Sequence, residues 1–247
     1  MNAPAWLVAR PVAHRALHDA ARGIIENTPS AVDAAIVRNY AIEVDIQLTS
    51  DGEAVVFHDD DLDRLTTATG PAHARTTAEM QTIELRGTTD RTMTLAELLA
   101  RVGGRVPLII EMKSHFDGNA AIAARAAQVL TGYAGPAALM SFDPGLVAAI
   151  RKLAPGIPRG ITMERRYDDP EWAGLSPTTK FAWGNLLHFP RTMPDFVAHY
   201  VKELPAPAAS LARMMGRPLL TWTVRTETDR ATAQRHADQM IFEGFLP

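Results

Sequence analysis

Residues 41–59 read AIEVDIQLTSDGEAVVFHD, and the first half of this stretch alternates polar with aliphatic side chains. Alternation is the period of a β-strand, so Glu43 and Asp45 share one face. A turn at residues 49–52, which contains Asp and Gly, then returns the chain to His58. Carboxylates on one buried face repel each other and need a counter-charge. The stretch therefore predicts a hairpin that carries two carboxylates and brings a histidine back beside them.

Strand and helix patterns alternate along the rest of the chain. Further strands are predicted at residues 7–13, 106–113, 137–142, 157–163, 195–201, 218–224 and 239–242. Helices are predicted between them, with capping residues such as Thr28 and Thr94 at their starts. Strands that alternate with helices pair in parallel through crossovers. Eight such units predict one α/β domain over residues 1–247, a (β/α)8 barrel.

Two details of this barrel depart from the regular pattern. Residues 60–91 are rich in Thr and Asp and carry no sustained period, which predicts a small insertion after the second strand. No helix pattern follows the eighth strand, so the final barrel helix is either missing or supplied by a neighbouring chain. An open doubly wound sheet is the alternative architecture. It is disfavoured because no glycine-rich phosphate loop follows the first strand.

The composition excludes several classes of function. The net charge of −3 gives no electrostatic basis for binding nucleic acid or an anionic membrane. The chain has no cysteine, which excludes disulfides, thiolate nucleophiles and cysteine-ligated zinc. No segment approaches the roughly 20 apolar residues of a spanning helix, and the N-terminus does not resemble a secretory signal. A cytoplasmic protein is therefore expected, if Met1 is the natural start, and the oligomeric state stays open.

Polar residues collect where the predicted strands end. In a parallel barrel these ends meet and form the active site. The residues concerned are His14, Arg15, Glu43, Asp45, Glu111, Lys113, Trp222 and Glu243. The carboxylates of Glu43, Asp45 and Glu111 form a set of oxygen ligands that suits Mg²⁺, Ca²⁺ or Mn²⁺ better than zinc. Salt bridges to Arg15 and Lys113 are the alternative, disfavoured because buried ion pairs rarely add net stability.

Two histidines flank the predicted metal site. If His14 and His58 lie on either side of a bound phosphate, one can deprotonate the nucleophile while the other protonates the leaving alkoxide. Arg15 offers a planar fork for phosphate oxygens, and Lys113 offers a point charge. Trp222 is predicted to form an apolar wall for the substrate, with core packing as the alternative.

The remaining polar residues near this site are predicted to have no catalytic role. For His73, His188 and His236 a surface or hydrogen-bonded core position is expected. The same position is favoured for His18, His115 and His199, with a place near the pocket as the alternative. The acidic run at residues 59–61 is expected to form a solvated loop, in which Asp59 is placed to orient His58.

A series of short motifs follows the predicted strands in a fixed order. The motifs are His14-Arg15, Glu26-Asn27-Thr28, Glu43-x-Asp45, Thr49-x-Asp51-Gly52, Val55-Val56, His58-Asp59, Leu62 with Arg64 and Thr66, Glu111-x-Lys113, and Trp222-Thr223-Val224. In this order they resemble the motifs of the glycerophosphodiester phosphodiesterase family. The resemblance is dense over residues 12–67 and continues to Glu243. Each motif alone is weak, but the combination is highly specific.

The resemblance implies a TIM barrel with a small inserted segment, which matches the expectation for residues 60–91. It also implies an enzyme whose partner is a small-molecule glycerophosphodiester, split into sn-glycerol 3-phosphate and an alcohol. A divalent metal, Mg²⁺ or Ca²⁺, is implied at the positions that match Glu43, Asp45 and Glu111. The identity of the alcohol stays open.

The family's catalytic and phosphate-binding positions are also present in this sequence. Its paired catalytic histidines match His14 and His58, and its phosphate-binding residues match Arg15 and Lys113. One departure is Ala16, which stands where the family usually has glycine and where a positive φ is therefore expected.

Two further departures concern Arg225 and Glu243, which stand where the family more often has Asn and Asp. They are expected to shape the substrate end of the pocket.

Two other functions are compatible with part of this pattern. An enolase-type lyase or isomerase also places carboxylates on successive barrel strands, but it usually needs a large capping domain and a Lys or His base on a later strand. A barrel that only binds a phosphorylated ligand, or that acts on a different phosphodiester, is the second alternative. A binding protein would be expected to have lost one of the seven matching polar residues, and all seven are present.

Overall fold

The computed structural model describes residues 3–168 and 172–247. Eight parallel strands form a closed barrel, in which the last strand in the chain pairs with the first. The barrel strands are β1 (Val12–Ala13), β2 (Ala41–Leu48), β4 (Leu108–Met112), β5 (Ala137–Ser141), β6 (Arg159–Met163), β7 (Phe196–Tyr200), β8 (Leu219–Val224) and β9 (Gln239–Phe242). A short extra strand, β3 (Ala54–Val56), lies outside the ring and pairs antiparallel with the end of β2. The predicted (β/α)8 barrel is confirmed.

Helices alternate with the strands along the described ranges. They are α1 (Pro29–Val37), α2 (Thr77–Thr82), α3 (Leu95–Val102), α4 (Ala121–Leu130), α5 (Pro144–Leu153), α6 (Pro177–Gly184), α7 (Phe189–Thr192), α8 (Pro207–Met214) and α9 (Glu227–His236). Among the described residues no helix follows β9, as the sequence predicts. None of the described helices has both the length and the apolar character needed to cross a membrane.

Local sequence signals explain where several helices begin and end. The side chain of Thr28 accepts a hydrogen bond from the first turn of α1, and Pro29 occupies the first helical position. Thr94 and Glu97 form a capping box at the start of α3, and Gly103 ends that helix with a φ of 56°. These boundaries follow from short-range chemistry, so the sequence alone locates them.

The two faces of β2 pack against different layers. Ile42, Val44 and Ile46 lie in the cluster that joins the barrel wall to the surrounding helices. Ala41 lies on the other face, in a smaller cluster inside the barrel. Glu43, Asp45 and Gln47 follow Ala41 on this inner face, because side chains alternate along a strand. The carboxylates therefore point into the barrel at the end where the strands finish.

Apolar residues fill the opposite end of the barrel interior. Val12, Ile109 and Leu220 pack together there, and Leu7 packs with them from below. Leu7 lies on a 3-10 helical turn, Ala5–Val8, and is fully buried. One end of the barrel is thus closed by hydrophobic packing, and the polar residues lie at the other end.

The predicted first strand at residues 7–13 is wrong in its extent. Only Val12 and Ala13 form a strand, and the residues before them make the 3-10 turn. Pro4 precedes this turn, and Pro11 has no N–H to donate to a strand ladder, so an extended segment through residues 7–11 is not supported. Burial of Leu7 under the barrel explains why this segment is as apolar as a strand.

The predicted insertion at residues 60–91 contains two short helical segments and its own small core. A 3-10 turn covers Ala72–Ala74, and α2 begins at the capping box of Thr76 and Glu79. Its buried apolar side chains pack on residues of β3 and the segment after it; the cluster comprises Val55, Phe57, Leu62, Ala72, Met80 and Leu85. The insertion is therefore attached firmly to the hairpin that ends at His58.

Candidate active site

Three buried carboxylates lie together at the end of β2 and β4. Asp45 and Glu111 are register partners on these neighbouring strands, and Glu43 lies on the same face of β2 as Asp45. One carboxylate oxygen of each residue lies within 4.8 Å of the other two. All three side chains are almost fully buried. The structure thus brings together the three residues that the sequence predicts as metal ligands.

Two cations and an amide contact this cluster. The Nζ of Lys113 lies 2.8 Å from Glu111 Oε1 and 3.0 Å from Asp45 Oδ1. The Nε of Arg15 lies 3.8 Å from Asp45 Oδ2. Asn27 donates its side-chain amide to the same carboxylate at 3.0 Å. Asp45 therefore has more stabilising contacts to its carboxylate than either of the other two residues.

The pKa values of the cluster move in opposite directions. Burial, with the charges of Asp45 and Glu111, raises the pKa of Glu43 well above its ordinary value. Burial also disfavours ionised Asp45, but the charges of Lys113 and Arg15, with the hydrogen bond from Asn27, outweigh it and hold the pKa of Asp45 far below its usual range. Glu43 is therefore the least compensated carboxylate of the cluster: within the described parts of the chain its side chain accepts one hydrogen bond, from the backbone N–H of Arg15 at 2.9 Å.

A sharp backbone turn after β1 makes this last contact possible. Arg15 has a φ of 51° and Ala16 a φ of 63°, so two consecutive residues adopt the left-handed conformation. The turn directs the N–H of Arg15 at the Glu43 carboxylate, and the N–H of Ala16 donates to the Glu43 backbone carbonyl at 2.8 Å. The positive φ expected at position 16 is present, although a side chain with a Cβ adopts it at a cost of about 1–2 kcal/mol.

His58 is held from three sides at the end of the hairpin. Gln47 on β2 donates its side-chain amide to the backbone carbonyls of His58 and Asp59. The ring Nδ1 of His58 lies 2.8 Å from Asp59 Oδ1, and Nε2 lies 2.7 Å from Nη2 of Arg15. A guanidinium only donates, so Nε2 accepts here and the ring proton sits on Nδ1, where Asp59 accepts it. The predicted orienting role of Asp59 agrees with this contact.

Residues with no predicted role extend the network beyond His58. Arg64 donates to Asp59 at 2.6 and 2.7 Å and to Glu26 at 2.7 and 3.0 Å. Glu26 also accepts from Arg15 Nη1 at 2.7 Å. These contacts link Arg15 to His58 through Glu26, Arg64 and Asp59, and they fix the positions of Arg15 and His58 relative to each other.

His14 directly follows β1 and contacts the carboxylate of Glu243, which is not one of the three clustered carboxylates. Its Nδ1 is 2.5 Å from Oε2 of Glu243, and the other oxygen of Glu243 accepts from Arg225 Nε at 2.5 Å. Burial lowers the pKa of His14, and the hydrogen bond to Glu243 opposes this effect. His18 approaches the same carboxylate at 3.6 Å. Arg225 and Glu243 are two of the three departures from the family pattern, and they form one chain of contacts that ends at His14.

A cavity of about 590 Å³ opens beside this centre. His58, Glu111 and Lys113 line its base. Arg64 and His115 also line it, together with acidic and aromatic side chains, which are Asp59, Asp60, Asp61, Asp63, Phe116, Phe142 and Trp172.

Trp222 does not line this cavity but lies behind Phe142, which does. Its indole contacts Phe142 nearly edge-on, with ring centroids 5.3 Å apart, and its N–H donates to the Ala198 carbonyl at 3.2 Å. Trp222 therefore supports the aromatic wall from behind.

The sequence predicts the carboxylates, histidines and cations of the site better than it predicts the residues that form hydrogen bonds to them. Glu26, Asn27 and Arg64 belong to the motifs that resemble the family, but the sequence analysis assigns no function to their side chains. Glu243 is a candidate from the sequence because it follows the last predicted strand. For Trp172 the sequence left a place at the pocket or at a partner open, because the aromatic residues around it follow no helical or strand period.

Comparisons with known proteins identify the family and the fold of the chain. The sequence profile described as the glycerophosphoryl diester phosphodiesterase family matches residues 14–245. YhdW of Bacillus subtilis (strain 168), assigned by name to the glycerophosphodiester phosphodiesterases, is 33% identical over 147 residues, which are 55% of this chain. This match spans 59% of that relative's length.

Solved structures with the same fold include two named phosphodiesterases. A phosphodiesterase of Oleispira antarctica, solved with the product sn-glycerol-3-phosphate, superposes with a TM-score of 0.79 at 19% identity, over 96% of this chain and 93% of that one. The glycerophosphodiester phosphodiesterase of Thermotoga maritima gives 0.71 at 21% identity, over 94% of each chain. At these identities the superpositions establish the barrel fold.

Proposed function

The chain belongs to the glycerophosphoryl diester phosphodiesterase family, and from that premise we propose that it hydrolyses glycerophosphodiesters to sn-glycerol 3-phosphate and an alcohol. The observation that carries the proposal is the arrangement of three buried carboxylates beside His14, His58, Arg15 and Lys113. An anionic diester needs both positive charge and proton transfer. These residues supply both within one end of the barrel.

We further propose that Glu43, Asp45 and Glu111 hold a divalent cation, Mg²⁺ or Ca²⁺. The donors are all oxygens, which suits either ion. The raised pKa of Glu43 reflects a carboxylate whose charge the protein leaves poorly compensated, and a bound cation would compensate it. Such an ion, when bound, supplies positive charge that stabilises the charge developing on the phosphate oxygens.

Arg15 and Lys113 are proposed to bind the phosphate. Both carry positive charge at the centre and contact the carboxylate cluster directly. The guanidinium of Arg15 now contacts Glu26 and His58 through its two terminal nitrogens. Its planar fork matches two oxygens of a phosphate, so the arriving diester competes for the contact that His58 now makes.

The histidines are proposed to move the protons. Loss of the Arg15 contact frees Nε2 of His58, which has a lone pair there, while Asp59 holds the Nδ1 proton. Glu243 holds His14 in the same way through Nδ1. One histidine takes the proton of the nucleophile as its oxygen bonds to phosphorus. A water gives glycerol 3-phosphate directly, whereas the substrate's glycerol 2-hydroxyl gives a cyclic phosphate that a water then opens. The other, which carries a proton on Nε2 as well as on Nδ1, gives the Nε2 proton to the alcohol oxygen as the bond between that oxygen and phosphorus breaks.

Release of glycerol 3-phosphate tests the proposal. We expect purified protein to release it from glycerophosphocholine or glycerophosphoethanolamine with Mg²⁺ or Ca²⁺, and EDTA to stop the release. A His58→Ala variant, with turnover lowered by about 10²- to 10⁴-fold, is the matched control. Release that persists in EDTA would contradict the metal site. No release with either metal, from folded protein, would contradict the activity.

A further inference from the structure

The cavity beside the carboxylates has a continuous aromatic wall. Trp172 contacts Phe142 with ring centroids 5.0 Å apart, and it contacts Phe116 at 5.7 Å. All three rings line the cavity. Trp172 is itself buried and packs edge-on against Tyr167, so the wall rests on a rigid base. Such a wall offers ring faces or edges to part of a bound molecule.

Phe116 is held at this wall in an uncommon backbone conformation. Its φ is 56°, which is unfavourable for a bulky residue, and 36% of its surface is exposed. Its N–H donates to the hydroxyl of Ser114 at 3.0 Å, and this hydroxyl donates to Asp143. A strained residue persists only where its surroundings impose it, and such residues concentrate at binding sites. An exposed ring kept in this way is typical of a ligand contact.

The charges that line the cavity are not balanced. Arg64 is paired with Asp59 and Glu26, and Lys113 with Glu111 and Asp45. Three further carboxylates lie on the cavity rim: Asp60, Asp61 and Asp63. Within the described ranges, the side chains of Asp60 and Asp61 form no ion pair or hydrogen bond. The uncompensated charge of the cavity walls is therefore negative.

A negatively charged cavity beside a phosphate site favours a substrate that carries a positive charge in addition to its phosphate. The phosphate is attracted to Arg15 and Lys113, and the rim carboxylates repel it, so these carboxylates lie where the rest of the substrate extends. An ammonium group gains there from the carboxylates and from the aromatic faces at once. A neutral alcohol would gain only apolar contact with the rings, and the carboxylates would repel an anionic alcohol.

We propose that this cavity selects diesters whose alcohol carries an ammonium group, as in choline and ethanolamine. The specificity-determining residues are Phe116, Phe142 and Trp172, with the carboxylates of Asp60 and Asp61. This inference rests on the proposed phosphodiesterase function and names the alcohol that the reaction releases.

The test compares two diesters that differ in a single charge. Glycerophosphocholine carries a trimethylammonium group, and the 3,3-dimethylbutyl diester of glycerol phosphate has the same shape with a neutral carbon in place of nitrogen. We expect kcat/KM to be roughly tenfold higher for the choline diester, which is the size of one well-placed cation–π contact. Equal kcat/KM values would overturn this inference alone. Release from neither diester would overturn the proposed function as well.

Variants then assign the preference to the cavity walls. Phe116→Leu removes a partly exposed ring, and Asp61→Asn removes one rim charge. Each is expected to reduce the choline-to-neutral ratio by about threefold or more. Glu84→Gln removes a charge from the same inserted segment at a side chain that does not line the cavity, and it is the matched control. A ratio that stays at the wild-type value in both cavity variants would overturn the assignment.

Discussion

Asn27 serves the backbone and the carboxylate cluster at once. It has a φ of 60°, and Asn tolerates this left-handed conformation better than most residues. Its side chain donates to Asp45 Oδ2 at 3.0 Å and accepts from the Asp45 N–H at 3.3 Å. The residue is almost fully buried. A single amide therefore fixes both the loop after β1 and the best-supported carboxylate of the site.

Two substitutions separate these contributions. Asn27→Gly keeps the backbone conformation but removes the side-chain hydrogen bonds, and we expect a loss of about 2 kcal/mol in the free energy of unfolding. Asn27→Ala removes the same bonds and adds strain, so a loss of about 3 kcal/mol is expected. Urea unfolding of both variants measures the difference. If the two variants unfold at the same urea concentration, the left-handed backbone is not strained at this position.

Glu243 is a positioning residue for His14 in the proposed mechanism. Its carboxylate accepts the Nδ1 proton of His14, and this contact raises a pKa that burial otherwise lowers. In Glu243→Gln the negative charge is lost, so the pKa of His14 falls further. We expect the ionisation of His14 in the pH profile of kcat/KM to move to lower pH, with kcat reduced by about tenfold or more.

The control for this variant is Glu227→Gln, which removes one charge from a side chain that is 86% exposed at the start of α9. It is expected to leave the profile unchanged. A Glu243→Gln enzyme with the wild-type profile would show that His14 does not depend on this carboxylate.

At the level of elements, the β2–β3 hairpin carries His58 to the site. Gln47 on β2 donates to the carbonyls of His58 and Asp59, which ties the end of the hairpin to the barrel wall. In Gln47→Leu both carbonyls lose their donor. We expect kcat to fall by about tenfold while KM changes little, because His58 loses its alignment and phosphate binding is retained.

A second glutamine provides the control for the hairpin. Gln239 at the start of β9 donates its side-chain amide to the Val8 carbonyl at 2.9 Å, at the end of the barrel away from the site. Gln239→Leu is expected to lower stability to a similar extent and to leave kcat unchanged. Equal kcat losses in the two variants would attribute the effect to general destabilisation.

Elements with short-range signals could be predicted from the sequence. The alternation of β2 and the capping signals at Thr28 and Thr94 are local properties, and the structure agrees with them. The segment before β1 could not be predicted, because Leu7 is apolar for a tertiary reason, the closing of the barrel from below. Periodicity does not distinguish that from a buried strand.

The same contrast applies to the site. Glu43, Asp45 and Glu111 were predictable because each lies on a strand whose direction fixes where its side chain points. The supporting contacts are non-local: Glu243 reaches His14 across 229 residues of sequence, and Arg64 reaches Glu26 across 38. The aromatic wall joins Phe116, Phe142 and Trp172 from three different loops. No spacing along the chain encodes these contacts.

At the level of the whole molecule, burial of the Glu43 carboxylate opposes stability at neutral pH unless a cation is bound. Glu43 has a raised pKa, so the folded protein holds its proton more tightly than the unfolded chain does. The free energy of unfolding of the metal-free protein therefore falls as pH rises from the ordinary glutamate range through the raised pKa. Burial lowers the pKa of His14, His188 and His199, and these groups have the opposite effect below about pH 6.5.

Comparison of the wild type with Glu43→Gln isolates the glutamate, because the histidines are common to both proteins. In EDTA we expect the variant to gain stability over the wild type as pH rises from 5 to 8. With Mg²⁺ or Ca²⁺ the order should reverse, since the ions bind the ionised carboxylate and stabilise only the folded wild type fully. Thermal unfolding of both proteins across this range, with EDTA and with each ion, measures the effect. A stability difference that changes neither with pH nor with the ions would mean that Glu43 is an ordinary ionised carboxylate and that the cluster does not bind a metal through it.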